Sequence, residues 1–484
     1  MNNVSAILPA TNKTKCVILA AGLGARHGPL TDQLVNRFAN VKPLLPVAGR
    51  RIIDFSIAAA GELGLRELEI SAGMHWQLFR KMLLASRSMT YSLPGYEDFR
   101  INIVPGERPR DTLGDAIAPF ENKSLEDDDT VIIMSSDIVH NLDLKPALKK
   151  HRENKASATV VVHKIDWNNP EWETRSFPLV VTSEMPALNL GKQKRWKFED
   201  DLNNYVEEAR GEIKEVTDFI EKTKRDECPS NLSIASIYFF SGQFFKELMS
   251  LFSPKETKYA FSDFGFHVFP LLVDKHKTKS NKFDEIKKKI KNGQHPFYAY
   301  FPLETGYDGQ PLYWNDIFGP LALWKMNMDA LHNSQLIKTW IGKDVKYRNE
   351  SWGWVGSESY ISEGVRIGDI PERSYYQDGI TIVGNNVTIS EGVKIGRSFI
   401  DDHTHLQPGT EIFDSVISLG FDRPYSYIGR TNLVNCLVLG EGFPPNFADI
   451  SLLRNALVFN VPYFDGFGIV PLQLKPDLSN LRGL

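Results

Sequence analysis

The strongest constraint on the fold is a six-residue repeat of aliphatic residues in the last third of the chain. Val383, Ile389 and Ile395 are spaced by six, and the segments ISEGVRIG (361–368) and ISEGVKIG (389–396) are nearly identical. One inward aliphatic residue every six positions is typical of a parallel β-helix, in which triangular coils stack around a continuous core. The repeat therefore predicts a left-handed parallel β-helix.

A different pattern precedes the repeat, because short apolar runs alternate there with helical segments. The runs 16–20, 130–134 and 158–163 have the composition of buried strands, and 53–63 has helical spacing before a glycine. Such alternation predicts an α/β domain with a Rossmann-like, mostly parallel sheet. We therefore predict two domains, an α/β domain over 1–335 and a β-helix domain with a C-terminal extension over 336–484.

One segment of the N-terminal part lacks this alternation. Between 183 and 215 the sequence becomes strongly charged, as in RWKFEDDLNNYVEEARGEIKE. A helix that is polar on all sides is usually solvated. We therefore predict an insertion that carries an exposed helix rather than a core element.

Charge and cysteine content limit the classes of partner. The net charge is −4 over 484 residues, and the three cysteines form no CxxC pair. This balance gives no reason to expect a nucleic-acid or membrane partner, and scattered cysteines indicate reduced thiols. The N-terminal residues do not have the pattern of a signal peptide. We therefore predict a cytoplasmic protein.

A glycine-spaced turn follows the first predicted strand. It reads AGLGAR over 21–26 and ends in Arg26, and a second cation, Lys42, follows further along the chain. Glycines allow backbone N–H groups to approach an anion, and an arginine adds forked donors for phosphate. The order favours a nucleoside triphosphate site, although a tight strand-to-helix connection would explain the turn alone equally well.

Carboxylates end two further apolar segments. Asp137 follows the strand at 130–135, and Glu221 precedes Lys222 at the end of 216–220. Ligands of open α/β sheets bind beyond strand ends, so Asp137 is a candidate metal ligand, with a local turn cap as the alternative. The Glu221–Lys222 pair suits sugar hydroxyls and a phosphate, with surface charge as the alternative.

Taken in order, these motifs resemble those of a known enzyme family. The order is GxGxR, KP, a strand ending in Asp, FxEK, DFG and YWxD, the last with Asp316. This order resembles the sugar-1-phosphate nucleotidylyltransferases, and most of all their glucose-1-phosphate adenylyltransferase (ADP-glucose pyrophosphorylase) branch. Each motif alone is modest, but their order and spacing together are specific.

The resemblance implies a role for each matching residue. Arg26 and Lys42 would be catalytic, and Asp137 and Asp316 would hold Mg²⁺. Glu221 and Lys222 would bind the sugar phosphate. The nucleotide would contact Ala20, Ala21, Gly22, Gly24, Gly114 and Asp115.

The resemblance also implies the reaction and the partners. A nucleoside triphosphate, with ATP expected, would react with a hexose-1-phosphate, with glucose-1-phosphate expected, to give a nucleotide sugar and pyrophosphate. Relatives of this kind assemble as homo-oligomers, so a dimer or tetramer is expected.

The sequence departs from the family pattern at several positions. The loop from Thr31 to Lys42 is longer than usual, Ala72 and Gly73 replace the expected base-reading glutamine, and Pro178 replaces a sugar-contacting glycine. The acids and cations of the phosphate end are retained. This pattern favours altered substrate choice, and a non-catalytic regulatory paralogue is the alternative.

The β-helix itself offers a further alternative. Acyltransferases with this fold use a histidine between coils, and His403 and His405 are the candidates here. The segment DDHTH has the composition of a corner or a small bulge, which argues against catalysis there.

Overall fold

The computed structural model of the chain describes residues 14–22, 41–84, 90–91, 93, 96, 98–107, 110–165, 178–186, 195–221, 230–255, 260–275, 281–317, 319–333, 347–351, 353–356, 359–368, 380–418, 426–428, 432–434, 436–439, 452–461 and 466–471. The predicted boundary between residues 335 and 336 lies outside these ranges, so the division into two domains stays a prediction.

Among the described residues, the N-terminal part contains one large sheet and two small two-stranded sheets. Its described strands are β1 (Thr14–Leu19), β2 (Pro46–Val47), β3 (Arg50–Arg51), β4 (Glu67–Gly73), β5 (Thr90–Tyr91), β6 (Phe99–Pro105), β7 (Thr130–Ser135), β8 (Ile138–His140), β9 (Ala158–Lys164), β10 (Leu179–Thr182), β11 (Ile213–Ile220), β12 (Leu232–Ser241), β13 (Phe297–Tyr300) and β14 (Trp314–Asp316). Ten of them form one sheet in the order β10-β11-β13-β9-β12-β7-β1-β4-β6-β5.

The sheet is mixed rather than mostly parallel. Strands β7, β1, β4 and β6 are parallel neighbours, as predicted. Strand β12, however, runs antiparallel to both β7 and β9, and β11 runs antiparallel to β10 and β13. The α/β class is thus confirmed, and the parallel part is the centre that carries the carboxyl ends of β1 and β7.

Helices cover both faces of the sheet. They are α1 (Ile52–Glu62), α2 (Trp76–Leu83), α3 (Asp111–Ile117), α4 (Lys145–Glu153), α5 (Arg195–Glu208), α6 (Gly242–Leu251), α7 (Phe269–Leu272), α8 (Asn281–Lys291) and α9 (Pro320–Asn333). Alternate residues of β7 face opposite sides, with Ile132 and Met134 in one apolar cluster and Val131 and Ile133 in the other. Helices α1, α2, α4 and α9 contribute to the first cluster, and α3, α5, α6, α7 and α8 to the second.

The prediction of an exposed helix between 183 and 215 is wrong. Helix α5 buries Leu202, Tyr205 and Val206, and the following Ala209 is buried beside them in the second cluster. These positions follow the i, i+3, i+4, i+7 spacing of one helix face. The Tyr205 hydroxyl also bonds the Thr182 hydroxyl at 2.7 Å. The charged residues around this narrow stripe hid it.

The C-terminal part is rich in short strands. They are β15 (Tyr347–Glu350), β16 (Gly353–Gly356), β17 (Tyr360–Ile361), β18 (Arg366–Ile367), β19 (Thr381–Val383), β20 (Thr388–Ile389), β21 (Lys394–Gly396), β22 (Phe399–Ile400), β23 (Thr404–Leu406), β24 (Glu411–Phe413), β25 (Val416–Ser418), β26 (Ser426–Ile428), β27 (Asn432–Val434), β28 (Leu437–Leu439), β29 (Leu452–Arg454), β30 (Ala456–Val461) and β31 (Gly466–Pro471).

These strands form three sheets, which we call the C-terminal three-sheet region (347–471). Strands β16-β19-β22-β25-β28-β30 form one parallel run, β17-β20-β23-β26 a second and β18-β21-β24-β27-β29 a third. Successive strands along β16–β27 pass to the next sheet in turn. The repeat residues Val383, Ile389 and Ile395 are all fully buried in one shared cluster, as the six-residue pattern predicted.

The three-sheet region packs directly on the N-terminal part. Phe399 and Val416 belong to the same apolar cluster as helices α1 and α9. The Trp324 indole of α9 donates to the Asp414 carbonyl oxygen at 2.8 Å. Among the described residues, no helix is long and apolar enough to cross a membrane.

Candidate active site

The centre of the candidate site is a contact between one lysine and two aspartates. Lys42 Nζ donates to Asp137 Oδ2 at 2.8 Å and to Asp316 Oδ1 at 3.1 Å. The three residues are far apart in sequence but share one ammonium group, and we call them the acid–lysine cluster. The structure thus brings together three of the residues predicted from the motifs.

A short ribbon of two strands explains how the aspartates meet. Strand β8 begins directly after Asp137 and pairs antiparallel with β14, so that Ile138 lies opposite Asp316. The Ile317 N–H donates to the Asp137 carbonyl oxygen at 3.3 Å. The Asp137 carboxylate also accepts a hydrogen bond from the Ser135 hydroxyl. Asp137 therefore takes part in long-range contacts that a local turn cap would not require.

The cluster lies at the carboxyl ends of the central parallel strands. Leu19 at the end of β1 pairs in register with Ser135 at the end of β7. The Ser136 N–H donates to the Leu19 carbonyl oxygen at 3.1 Å, which joins the two strand ends. Ligands of open α/β sheets bind at this edge.

The electrostatics of the cluster keep the lysine charged. The Lys42 side chain is only 11% exposed, against 37% for Asp137 and 22% for Asp316. Burial lowers the pKa of the Lys42 ammonium, but the Asp137 and Asp316 carboxylates raise it, and the pKa ends above its ordinary value. Lys42 is therefore a permanent cation at neutral pH, and it lies where two carboxylates converge.

The donor set of the cluster fits a magnesium ion. Mg²⁺ sites in nucleotide enzymes usually combine one or two carboxylates with substrate phosphates and water. Asp137 and Asp316 supply two carboxylates on one side of the sheet edge. Within the part of the chain that the structure describes, no group of three or more His, Cys, Asp or Glu side chains could hold a metal alone.

The predicted nucleotide loop begins beside this cluster. Ala20 and Ala21 are buried, and the Ala20 N–H donates to the Ser71 carbonyl oxygen at 2.8 Å. Gly22 is exposed, and a Cβ placed on it would meet no atom of the described residues within 4 Å. Gly24 and Arg26 lie outside the described residues.

The residues that replace the expected base-reading glutamine have a packing role next to this loop. Gly73 has a left-handed backbone, with φ of 54°. A Cβ on Gly73 would lie 2.8 Å from the Ala21 Cβ. Only glycine combines this backbone with such a close approach. Gly73 thus shapes the loop that is predicted to hold the nucleotide.

The other predicted nucleotide residues, Gly114 and Asp115, lie in α3. A Cβ on Gly114 would be 2.9 Å from the Phe252 ring, so Gly114 allows α3 to pack closely. Burial raises the pKa of the Asp115 carboxyl to about 7, with Arg110 lowering it and Asp111 raising it further. A nucleotide role for either residue stays a prediction.

The predicted sugar-phosphate end is described only in part. A Cβ on Gly265 would lie 2.5 Å from Glu221 Oε2, so the glycine of the DFG motif leaves room for this carboxylate. The start of α3 is bound to the same motif, because Thr112 Oγ1 donates to Asp263 Oδ2 at 3.0 Å. Lys222 lies outside the described residues.

Two residues that no sequence motif indicated lie close to the predicted sugar-phosphate end. Tyr238 on β12 is buried, and burial together with Asp263, Glu221 and Asp137 raises its pKa. Ser236 has a left-handed backbone, with φ of 58°, where β12 shifts its register against β9. A left-handed serine within a strand is strained, and no feature of the sequence pattern signals it.

The two histidines proposed for the acyltransferase alternative lie at a turn and beside a serine, and a catalytic role for either stays a prediction. His403 lies in a turn with φ of 61°, as the prediction of a corner implied. His405 Nε2 lies 3.2 Å from the Ser390 hydroxyl, and burial lowers the pKa of His405. The ring therefore stays neutral near pH 7.

Comparisons with known proteins point to the same family as the motifs. The model of the nucleotidyl transferase family matches residues 15–172. The chain is 25% identical over 452 residues to glucose-1-phosphate adenylyltransferase of Bacillus thuringiensis (strain Al Hakam), covering 84% of this chain and 98% of that relative. The enzyme of the same name from Bacillus cytotoxicus is 23% identical over 449 residues, covering 89% and 93%.

The predicted resemblance to the sugar-1-phosphate nucleotidyltransferase family is therefore confirmed. The family match covers β1, β7 and Asp137, and the relatives extend through most of the chain. Together the matches support transfer of a nucleotidyl group to a sugar phosphate.

Proposed function

We propose that this protein transfers the nucleotidyl group of ATP to glucose-1-phosphate and releases pyrophosphate. The observation that carries the proposal is the acid–lysine cluster, in which Lys42 lies between Asp137 and Asp316. A cation flanked by two carboxylates at the sheet edge suits a reaction in which charge moves among phosphate oxygens. The choice of ATP and glucose-1-phosphate rests on the names of the relatives.

In the proposed reaction an oxygen of the sugar phosphate attacks the α-phosphorus of the nucleotide. A new phosphorus–oxygen bond forms, and the bond from the α-phosphorus to the bridging oxygen breaks. Pyrophosphate leaves with that oxygen and its electron pair. Catalysis then requires positioning of two anions and stabilisation of the charge that develops on their oxygens.

Each residue of the cluster has a defined task in this proposal. Lys42 stays protonated and donates to the phosphate oxygens, and Arg26 is the proposed second cation. Asp137 and Asp316 would hold Mg²⁺, which supplies further neutralisation of the triphosphate when it is bound. Glu221 and Lys222 are proposed to bind the sugar phosphate.

The remaining features of the proposal concern the nucleotide and the assembly. The backbone of Ala20, Ala21, Gly22 and Gly24 would line the nucleotide, with Gly114 and Asp115 nearby. We infer that the C-terminal three-sheet region is a left-handed parallel β-helix and that the protein is a homo-oligomer.

A second candidate function is a regulatory paralogue that binds sugar phosphates without turnover. The observation that favours it is the changed base and sugar end, where Gly73 packs on Ala21 and Pro178 packs against β12. The retained acid–lysine cluster argues against it, because effector binding alone does not need two converging carboxylates beside a buried lysine.

Release of pyrophosphate separates the two candidates. The wild-type protein is incubated with Mg²⁺ and each pair from a panel of nucleoside triphosphates and sugar-1-phosphates. We expect release with at least one pair, and ATP with glucose-1-phosphate is the expected best pair. Chelation of divalent cations with EDTA should stop release.

An Asp137→Asn variant and an Asp127→Asn control complete the experiment. Asp127 is a carboxylate with a side chain 71% exposed, paired with Lys246. We expect Asp137→Asn to abolish release with a nearly unchanged melting temperature, and Asp127→Asn to change neither. A folded wild-type protein that releases no pyrophosphate with any pair would contradict the proposed function.

A further inference from the structure

We propose that Asn327 is a positioning residue that holds Lys42 at the two aspartates. The inference rests on the proposed function for its meaning in catalysis, but its structural part can be tested without any substrate. Asn327 lies on α9 and is fully buried. Its side chain forms hydrogen bonds with the backbone of Pro46, Ala48 and Leu323.

The Asn327 amide binds the hairpin that follows Lys42. Its Oδ1 accepts from the Ala48 N–H at 2.7 Å, and its Nδ2 donates to the Pro46 carbonyl oxygen at 3.0 Å. Pro46 and Ala48 belong to the β2–β3 hairpin, whose turn has positive φ at Ala48 and Gly49. One side chain therefore binds a carbonyl oxygen of β2 and an N–H of the turn that follows it.

The hairpin is closely coupled to the lysine. Only three residues separate Lys42 from Pro46. Lys42 itself begins the buried 3₁₀ turn Lys42–Leu44, in which the Leu45 N–H donates to the Lys42 carbonyl oxygen at 3.1 Å. A shift of the hairpin would therefore move the start of the lysine side chain. This link also bears on the long segment before Lys42, because the lysine is fixed from its C-terminal side.

The same amide is fixed to the helix that follows Asp316. Its Nδ2 also donates to the Leu323 carbonyl oxygen at 2.9 Å, and the Leu323 N–H donates to the Gly319 carbonyl oxygen at 3.0 Å. Helix α9 begins four residues after Asp316. The contacts thus form a closed ring from Lys42 through the hairpin, Asn327 and α9 to Asp316, and back to Lys42 Nζ.

The chemistry of the position supports a specific role. Asn327 lies among the residues of the first apolar cluster, where leucine would pack without needing partners, and asparagine is a poor helix former. A buried amide here is stable only because its donors and its acceptor are paired. Replacing it with an apolar residue leaves the Ala48 N–H and the Pro46 carbonyl oxygen without this partner.

Chemical labelling of Lys42 tests the structural part directly. The wild-type protein and Asn327→Leu, whose side chain has the same branching and number of heavy atoms, are reductively methylated without substrate, and modification of Lys42 is followed by mass spectrometry. The wild-type lysine should react slowly, because it is buried and paired with two carboxylates. We expect labelling of Lys42 in Asn327→Leu to be faster by about tenfold or more, which corresponds to about 1.4 kcal/mol of lost protection.

A kinetic measurement tests the catalytic part. At a temperature well below the melting point of each variant, kcat of Asn327→Leu should fall by between about tenfold and about 100-fold, since a shift of about 1 Å has effects of this size. The KM for each substrate should change much less. If the wild type shows no turnover, the proposed function fails, while the labelling result still decides the role of Asn327.

Two further variants make the result specific. Trp324→Phe removes the hydrogen bond to the Asp414 carbonyl oxygen one turn earlier on the same helix, so it should lower the melting temperature without faster labelling of Lys42. Asn327→Ala removes the same hydrogen bonds without enlarging the side chain, so it should also label faster than the wild type, and it serves if the leucine variant does not fold. Unchanged labelling of Lys42 in a folded Asn327 variant would overturn the proposal.

Discussion

The acid–lysine cluster and the C-terminal three-sheet region differ in how their charged contacts are assembled. In the cluster, Lys42 meets carboxylates that are 95 and 274 residues away in sequence. In the three-sheet region, Lys394 pairs with Glu411 and Arg397 with Asp414, each 17 residues apart. The second spacing is one turn of the repeat, so these pairs follow from stacking alone.

We propose that this difference separates charges that act in the reaction from charges that hold the structure together. Arg397 and Asp414 are both buried and pair with each other, 17 residues apart. Lys42, in contrast, forms ion pairs with two carboxylates at once. Substitutions in the cluster should therefore change turnover, and substitutions in the three-sheet region should change stability.

The largest effect is expected for Lys42→Met. The variant removes the cation that is proposed to neutralise the phosphate oxygens, and loss of one such donor usually lowers kcat by about 100-fold to about 1000-fold. The measurement is kcat at saturating substrates.

Lys394→Met provides the matched control for that prediction. It removes a lysine that also forms an ion pair, but in the three-sheet region, where the Lys394 and Glu411 side chains are 43% and 30% exposed. We expect kcat to stay within a factor of about two, since exposed ion pairs contribute little. Equal losses in the two variants would show that the two kinds of charged contact do not differ in function.

The next largest effect is expected for Ile395→Ala and concerns stability. Ile395 is fully buried in the cluster of the three-sheet region, and truncation leaves a cavity that costs about 2 to about 5 kcal/mol of unfolding free energy. Denaturant titration measures this loss. The kcat of the folded fraction should stay near the wild-type value. A fall in kcat as large as that expected for Lys42→Met would contradict the separation of the two regions.

A smaller effect is expected for Asp115→Asn. Burial raises the pKa of Asp115 to about 7, whereas an unfolded aspartate titrates near about 3.9. Between these values the folded state binds more protons, so unfolding free energy falls as pH rises and levels off above about 7. The asparagine variant should lack this fall and be more stable at pH 8, by on the order of 1 kcal/mol.

Thermal melts at pH 5 and pH 8 check this prediction. The wild type should lose more stability than Asp115→Asn between the two pH values. Identical pH dependence in both proteins would show that Asp115 has an ordinary pKa.

The smallest effect is expected for His405→Gln. His405 contacts Ser390 in the three-sheet region, far along the chain from the acid–lysine cluster, and glutamine retains a hydrogen-bonding group. Pyrophosphate release should be unchanged. A variant that loses an acyl transfer activity present in the wild type would revive the alternative of a catalytic β-helix.

The two regions also differ in how far the sequence predicts them. The aliphatic repeat through Val383, Ile389 and Ile395 is local, so it predicts the core positions of the three-sheet region directly. The meeting of Lys42 with Asp316 depends on the β8–β14 ribbon, which no local pattern indicates. Here the prediction depended on the resemblance to a family.

Several features could not be predicted for identifiable physical reasons. The buried face of α5 is only a narrow stripe among charged residues, so average polarity hid Leu202 and Val206. The antiparallel course of β12 depends on pairing with strands distant in sequence. The strain at Ser236 and the amide contacts of Asn327 are properties of the folded chain, and no sequence motif indicates either of them.

The most direct test of the central claim is the product that the protein forms from ATP, glucose-1-phosphate and Mg²⁺, identified by mass spectrometry for the wild type and Asp137→Asn. We predict that the wild type forms ADP-glucose in equal amount with pyrophosphate and that the variant forms neither. Pyrophosphate without a nucleotide sugar, or equal product from both proteins, would contradict the assignment of the acid–lysine cluster as a nucleotidyl-transfer site.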